Sequence, residues 1–373
     1  FADQLVGHIP VTHISSTLTQ RMQHALDQDE QVPELREMYA PGQWVSACVE
    51  HVQPAGARRQ WGLGRESGEY ERDSQRVRLS MDPQTTNSGV TAADVVAGLT
   101  LSATVTSAED YGYALDLGVS GDIHGFLPNT AGLTLPVGAV ILTSVDRLSG
   151  RVAVCHPVNT KPHPLGVAPS QAALLPGLCV RALVTSTSPQ GVAVSLYGMF
   201  DGTIDTFHMA GPMEPGKKFA ARVLWQMPAE GDASVEVGAR RIGLSAAEHV
   251  LDLVAPHATD GRSLADAYPI GSRVRVSVTT VSPTWGLLCS VPGAGTGFVH
   301  ISRVSDDHVD AISASSGPFH IGSEHDARVV GHAQADGLLL LSLQPSVLAK
   351  DFMRVSEVKV GDVVSGTVRR VTE

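Results

Sequence analysis

The chain has 373 residues, 43% of them hydrophobic and 17% charged, with a formal net charge of −11. That length suits roughly two to four compact units and that apolar share excludes wholesale disorder. The acidic balance argues against a protein that coats nucleic acid along its whole surface, because phosphate neutralisation needs Lys and Arg.

Glycine (37) and proline (22) are abundant, a composition that favours many short strands joined by turns. The four cysteines, Cys48, Cys155, Cys179 and Cys289, lie far apart without metal or redox spacing, and read as small buried hydrophobes in a reducing compartment. No apolar run reaches the ~20 residues that span a bilayer, and no leader pattern precedes Phe1, so no membrane role and an intracellular protein are expected.

Taken in chain order, the strongest signal is a repeat. The first copy carries Gly7-His8-Ile9-Pro10, a helical stretch from Thr17 to Leu26, Pro41-Gly42 and Arg76-Val77-Arg78-Leu79-Ser80. It holds only the later strands of the unit. The charged, Gly-rich segment Gln53–Asp73 reads as a solvated hairpin extension.

The second copy runs from Ala97-Gly98-Leu99 through Gly125-Phe126-Leu127-Pro128 and Val137-Gly138 to Arg151-Val152-Ala153-Val154. The third has Pro176-Gly177-Leu178, Gly202-Thr203-Ile204-Asp205, Pro215-Gly216 and Arg241-Ile242-Gly243-Leu244-Ser245. The fourth has Ile270-Gly271-Ser272, Gly297-Phe298-Val299-His300, Ile321-Gly322 and Leu339-Leu340-Leu341-Ser342. Val360-Gly361-Asp362 opens a fifth.

The leading glycine recurs at intervals of roughly 80–95 residues, about one small domain each. Val274, Val276 and Val278 alternate with Arg273, Arg275 and Ser277, the period of a half-buried strand. A short helix or turn is expected over Thr17–Leu26 and again over Ser305–Ile312, with Ser305-Asp306-Asp307 as its N-cap.

Five strands with an insert between the third and fourth describe an all-β fold of tandem five-stranded Greek-key barrels, the OB-type design. The expected domains are 1–83 (lacking its first two strands), 90–158, 171–250, 265–346 and the first strand of another in 355–373. Linkers are placed at Pro83–Gly89, Asn159–Ser170 and Pro256–Ala265, each rich in turn formers.

Trp285-Gly286-Leu287-Leu288 with Gly297-Phe298-Val299-His300-Ile301-Ser302 resembles the second and third strands of the S1 RNA-binding domain. Thr12-His13-Ile14-Ser15, and Val145-Asp146-Arg147 through Gly150-Arg151-Val152, fit the same family. The resemblance implies that the chain is a bead-like array of S1-type OB-fold barrels. It also implies that nucleic acid lies on the outer face of strands two, three and five, where the family places aromatics, a histidine, an aspartate and an arginine.

Carried over, the family positions are Tyr111, Ala114, Pro128, Asp146 and Arg151 in the second module, with Tyr113 and Phe126 able to add ring surface. The fourth module offers Trp285, Leu288, Phe298 and His300, while its arginine place, near Leu338, is apolar. The third keeps Arg241 but has Gln190 and Asp205 where an aromatic and a histidine are expected. The first supplies Arg76 and His13. Rings offer unpaired bases a stacking surface and arginine a phosphate contact, so single-stranded RNA is the implied partner.

The divergence between neighbouring modules is more similar to the large nucleolar ribosomal-RNA-processing proteins of eukaryotes than to the regular arrays of bacterial ribosomal protein S1. That likeness implies a nuclear, nucleolar scaffold of pre-ribosomal particles that binds precursor ribosomal RNA and ribosome assembly factors. A protein-interaction scaffold with degenerate modules, and a translation factor like ribosomal protein S1, stay open.

No enzyme motif is present: neither H-E-x-x-H, nor G-x-x-x-x-G-K-[ST], nor G-x-S-x-G. Gly62-Leu63-Gly64-Arg65-Glu66-Ser67-Gly68 has serine in place of the third glycine of a dinucleotide fingerprint. Asp306, Asp307 and Asp310 suit a capping turn better than a metal. No cofactor is expected.

Overall fold

A computed structural model describes residues 6–350 except 41, 54–75, 130–133, 159–163, 168, 189–190 and 229–239, together with 352, 361 and 363. The expected hairpin extension of Gln53–Asp73, most of the Asn159–Ser170 linker, Gln190 and the fifth module's strand therefore fall largely outside the described residues. The chain divides into two compact units, Phe1–Val254 and Ala255–Glu373.

The first unit opens with β1 (Val6–His8), helix α1 (Ser16–Asp27), β2 (Cys48–Gln53) and β3 (Arg76–Ser80). These strands form a sheet in the order β1-β3-β2, with β1 parallel to β3. They correspond to the third, fifth and fourth strands of the barrels that follow.

The next barrel comprises β4 (Thr100–Glu109), β5 (Gly112–Asp116), β6 (His124–Pro128), β7 (Val140–Ser149) and β8 (Val152–Pro157). A further barrel follows in the same unit, with β9 (Cys179–Ser188), β10 (Gly191–Leu196), β11 (Phe200–Asp205), β12 (Lys218–Pro228) and β13 (Arg240–Ser245). The second unit holds β14 (Arg273–Ser282), β15 (Gly286–Val291), β16 (Gly295–His300), β17 (Glu324–Ala333) and β18 (Leu338–Ser342). All three barrels are closed, with strands in the order one-two-three-five-four and strand three parallel to strand five.

The recurring glycines explain this closure. Gly98, Gly177 and Gly271, at φ +91°, +94° and +100°, each donate their N–H to a valine carbonyl on strand four, at 2.7–2.8 Å. Gly138, Gly216 and Gly322, at φ +86° to +91°, donate in return to Val105, Val184 and Val278 on strand one, each at 2.8 Å. A left-handed residue turns the chain sharply into each long strand, and only glycine does so without steric cost. Bulges at Val145/Arg147, Val223/Trp225 and Val329/Gly331 then bend strand four so that it pairs on both sides.

Alternation fills the interiors: Leu101, Ala103, Val105, Leu115 and Leu127 are buried, as are their counterparts in the other barrels. In the first unit the two barrel interiors join through Val95, Leu165 and Leu174 into one buried cluster. Helix α1 packs on the second module's strand-four entry. Ser15 caps it by accepting from Leu18 N (3.1 Å) while its hydroxyl donates to Gly138 O (2.7 Å), and Leu18 is fully buried against Val140.

Of the short helix or turn expected over Ser305–Ile312, no helix forms; the segment runs as bends and loop after the 3-10 turn Ile301–Arg303. Ser305 Oγ accepts from Asp307 N (3.2 Å), a local bond that competes with a helical ladder, and the Asp306 carboxylate is drawn to the distant Ser346 N (2.9 Å). Two expected linkers are also more ordered than loops. Pro83–Thr86 is a helical turn (α2) capped by Asp82, and Pro256–Ala265 contains a bridge between His257 and Ser263.

Cys155, Cys179 and Cys289 are buried, with burial pushing their thiols up to about 11, 11 and 12. Such thiols pack rather than react. Cys48 is half-buried, contrary to the expectation for all four.

Two arginines sit where apolar residues are usual. Arg222 and Arg328, 1% and 3% exposed, occupy the same place on strand four of their barrels. Arg222 donates to the carbonyls of Gly177 and Leu251, and Arg328 to those of Gly271, Val347 and Lys350. Each guanidinium thus ties the strand-one glycine to the end of the short helix after strand five, α3 (Glu248–Leu251) or α4 (Pro345–Leu348).

Arg328→Met should lower stability by at least about 2 kcal/mol, since it leaves buried carbonyls unpaired. Urea unfolding measures this, and an unchanged midpoint would contradict the clamp. A Cβ at Gly322 meets nothing within 4 Å, so Gly322→Ala should cost about 1–2 kcal/mol from its backbone angle alone. Gly138→Ala also drives a Cβ to 2.9 Å from the Leu18 backbone and should cost more in the same measurement.

Candidate nucleic-acid interface

The hairpin between strands one and two sets the position of one exposed ring in two of the barrels. In the second module Tyr111 stands at the tip, 84% exposed, its carbonyl accepting from Asn129 N (2.8 Å). In the fourth, Trp285 is 72% exposed and its carbonyl accepts from Ile301 N (2.9 Å). Both precede a glycine pressed onto strand three. A Cβ at Gly112 would stand 2.2 Å from Leu127 O, and one at Gly286 2.0 Å from Val299 O. The glycine lets strand three pass close beneath, which leaves the preceding ring projecting outward.

In the fourth module, strand pairing places Leu288, Phe298 and Leu340 in one outward row across β15, β16 and β18, with Gly286 opposite His300 in the row above. Phe298 and His300 meet edge to face, ring centres 6.3 Å apart. His300 Nδ1 accepts from Ser302 N (3.2 Å), which assigns the proton of the neutral ring to Nε2, a donor able to meet a phosphate or base edge. Phe298 and His300 therefore share one face, at the strand end where Trp285 precedes Gly286. Leu338, at the arginine place, is buried there.

The second module arranges Ala114, Phe126 and Val154 in the matching row. Phe126 is half-buried and its ring lies beside Gly112, next to Tyr111. Arg151 lies near the other end of β6, where its carbonyl accepts from His124 N (3.0 Å), and its guanidinium pairs with Asp122. A five-residue strand makes that separation about 13 Å. The pair is exposed, so it adds little stability and leaves the cation able to exchange Asp122 for a phosphate.

Among the expected site residues Tyr113 needs correction, while Asp146 and His13 are each engaged by neighbours. Tyr113 is 9% exposed and its hydroxyl accepts from Leu135 N (3.3 Å), so it belongs to the interior rather than to the outer ring surface. Strand alternation puts residue 113 on the face opposite Ala114. Asp146 lies on strand four, at the bulge where that strand pairs with strand five, and its carboxylate pairs with Arg147 at 2.9 Å. His13 follows β1 in a 3-10 turn and is tied into a network rather than presented freely.

In that network His13 Nδ1 meets Glu50 Oε1 (2.9 Å), Arg78 Nε donates to Glu50 Oε2 (3.0 Å), and Arg78 Nη2 donates to His13 Nε2 (3.0 Å). Burial disfavours ionisation of Glu50, yet His13 and Arg78 outweigh it and hold its carboxyl below the usual range. Arg78 was not singled out from the sequence. Its place two residues after Arg76, hence on the same strand face, was the available signal. Arg76 lies on β3 opposite Val6 and Gln53, and its side chain is outside the described part.

The third module differs. Arg241 is exposed on β13, opposite Met227. On β11 the outward residues are Asp201, Thr203 and Asp205, all exposed, with Asp205 capping a turn by accepting from Phe207 N (3.2 Å). Two carboxylates on this face repel phosphate. Among the described residues no group of three or more His, Cys, Asp or Glu could hold a metal.

A family model described as the RRP5 OB-fold domain matches residues 267–353. The rRNA biogenesis protein rrp5 of Schizosaccharomyces pombe is 33% identical over 392 residues, covering 98% of this chain and 22% of the relative. The RRP5 homolog of Homo sapiens is 25% identical over 386 residues, covering 98% and 19%. The rRNA biogenesis protein RRP5 of Arabidopsis thaliana is 23% identical over 367 residues, covering 91% and 17%. The chain thus spans about a fifth of the length of the curated relatives it matches. Over 98% of its length the chain is homologous to the RRP5 rRNA biogenesis proteins, and its fourth module matches the RRP5 OB-fold family model.

Proposed function

We propose that this chain is a non-enzymatic RNA-binding scaffold of ribosome biogenesis that holds single-stranded precursor ribosomal RNA on its second and fourth modules. The observation that carries the reading is the equivalence of Tyr111 and Trp285. Two large rings, 84% and 72% exposed, stand at the same hairpin position of two barrels, each fixed by a backbone bond and a glycine that admits no side chain. An exposed ring with an immobilised backbone is suited to stacking on an unpaired base.

Around Trp285, Phe298 and His300 add an apolar surface and a hydrogen-bond donor. Around Tyr111, Phe126 extends the ring surface and Arg151 supplies the cation. The scaffold acts in pre-ribosomal particles of the nucleolus, in company with ribosome assembly factors. The name carried by the relatives supports that setting.

A second reading, a protein-interaction scaffold, draws on the net charge of −11 and on the Asp201–Asp205 face of the third module. Mobility shift with single-stranded RNA separates the two. Tyr111→Ala and Trp285→Ala should each weaken binding by about 1–3 kcal/mol, roughly five- to 150-fold, without changing the unfolding midpoint. Unaltered affinity in both variants would favour the protein scaffold.

Arg151→Ala should lower affinity modestly and flatten the slope of log K against log salt by about 0.7, the value for one phosphate contact on a single strand. A slope identical to that of the unmodified chain would remove Arg151 from the interface.

A further inference from the structure

The third barrel carries a cleft on the side away from its acidic face. Strand pairing aligns Lys218, Leu183 and Ser195 across β12, β9 and β10, with Ala220 opposite Arg181 in the adjoining row. Arg181 and Lys218 are exposed, Leu183 and Ser195 half-buried. Pro164, Leu165 and Gly166 form one wall and Tyr197 another, enclosing about 440 Å³, within the range of small-ligand sites. Neither cation has a hydrogen-bond or ion-pair partner among the described residues.

The other barrels show what is unusual here. At the places of Arg181, Leu183 and Lys218, the second module has Ser102, Thr104 and Val140, all at most 4% exposed. Asn87, from the segment after α2, seals them by donating to Ser102 O and Leu117 O. The fourth module has Arg275, Ser277 and Glu324, and there Arg275 is neutralised by Glu324 (3.1 Å) and Asp326 (3.9 Å). Only the third barrel combines an open face with two unpaired cations among the described residues.

A backbone feature holds the cleft open. Tyr197 and Gly118 occupy the same position after strand two, both left-handed at φ +54° and +60°. At Gly118 the preceding segment closes directly on the backbone, since a Cβ there would stand 2.3 Å from Pro83 C. At Tyr197 a full side chain occupies this place at a conformational cost, an outlier of the kind that collects at binding sites. Its hydroxyl donates to Leu165 O (2.8 Å), so the ring props the linker away from the sheet. Burial, with Cys179 nearby, pushes the Tyr197 phenol up to about 12 despite Arg181.

We infer that this cleft is a second nucleotide-binding site, which takes one nucleotide of single-stranded RNA with its phosphate between Arg181 and Lys218 and its base over Leu183 beside Tyr197. The inference rests on the RNA-binding reading above and adds a different face of a different module. An acidic peptide suits the cleft less well. The closed barrel has no strand edge for a main chain to join, whereas two cations over an apolar floor match a phosphate joined to a flat ring.

Photocrosslinking of the whole chain to a single-stranded oligouridine containing 4-thiouridine, with mass spectrometric mapping, tests this. Crosslinks are expected on the peptide holding Tyr197 as well as on those holding Tyr111 and Trp285. Arg181→Ala/Lys218→Ala, at two exposed positions, should abolish the Tyr197 crosslink, keep the other two and weaken overall binding several-fold.

Crosslinks at Tyr111 or Trp285 without one at Tyr197 would overturn the cleft and leave the main reading standing. So would a Tyr197 crosslink indifferent to the double variant. Absence of all RNA binding would overturn both readings. An Asp/Glu-rich peptide that protects Tyr197 from iodination where the oligouridine does not would give the cleft to an acidic protein partner instead.

Discussion

Reciprocal hydrogen bonding between strands one and four closes each barrel, and the rest of the architecture depends on it. At one end a left-handed glycine donates from strand one to strand four, and at the other a second glycine donates back. The two contacts set the register of the longest strands, and register decides which side chains face inward. Closure also removes the free edges that would otherwise invite pairing with other chains. Where a buried arginine adds its clamp, as at Arg222 and Arg328, the same glycine carbonyl anchors the helix that ends the module.

With the interior set this way, the outer faces are free to diverge. The second and fourth modules present a ring at the hairpin tip and further rings along strand three. The third presents carboxylates there and cations on the reverse. The incomplete first module ties its histidine and arginine to Glu50. An overall charge of −11 is compatible with the proposed contact to a polyanion, because such contact would use a few placed cations and stacking surfaces rather than a general field. Ion pairs such as Arg151–Asp122 keep a guanidinium available while costing little to open.

Much of this was legible along the chain. The glycines recur because a positive φ leaves few alternatives, and the valines alternate because a barrel wall has one dry face. Tyr111 and Trp285 were legible as paired positions because each precedes a glycine at the same point of the repeat. Other residues were not. Tyr113 reads like Tyr111, yet one step along a strand reverses its direction and places it in the core. Asp146 reads as an acidic place around strand five, and a bulge sets it on strand four against Arg147. Arg222 and Arg328 carry no signal in the sequence, since nothing local announces that their partners are carbonyls of distant glycines and helix ends.

The amino-acid order alone determined the all-β class, the repeated unit and the candidate stacking rings. All of these follow from short-range rules of backbone angle and alternation. Only the tertiary structure decided which cations are engaged, which face of each barrel is open, and how Tyr197 holds a linker off the sheet. Those properties arise where residues far apart in sequence meet, as Lys218 lies opposite Leu183 and Ala220 opposite Arg181 on neighbouring strands, and no local pattern encodes such a meeting.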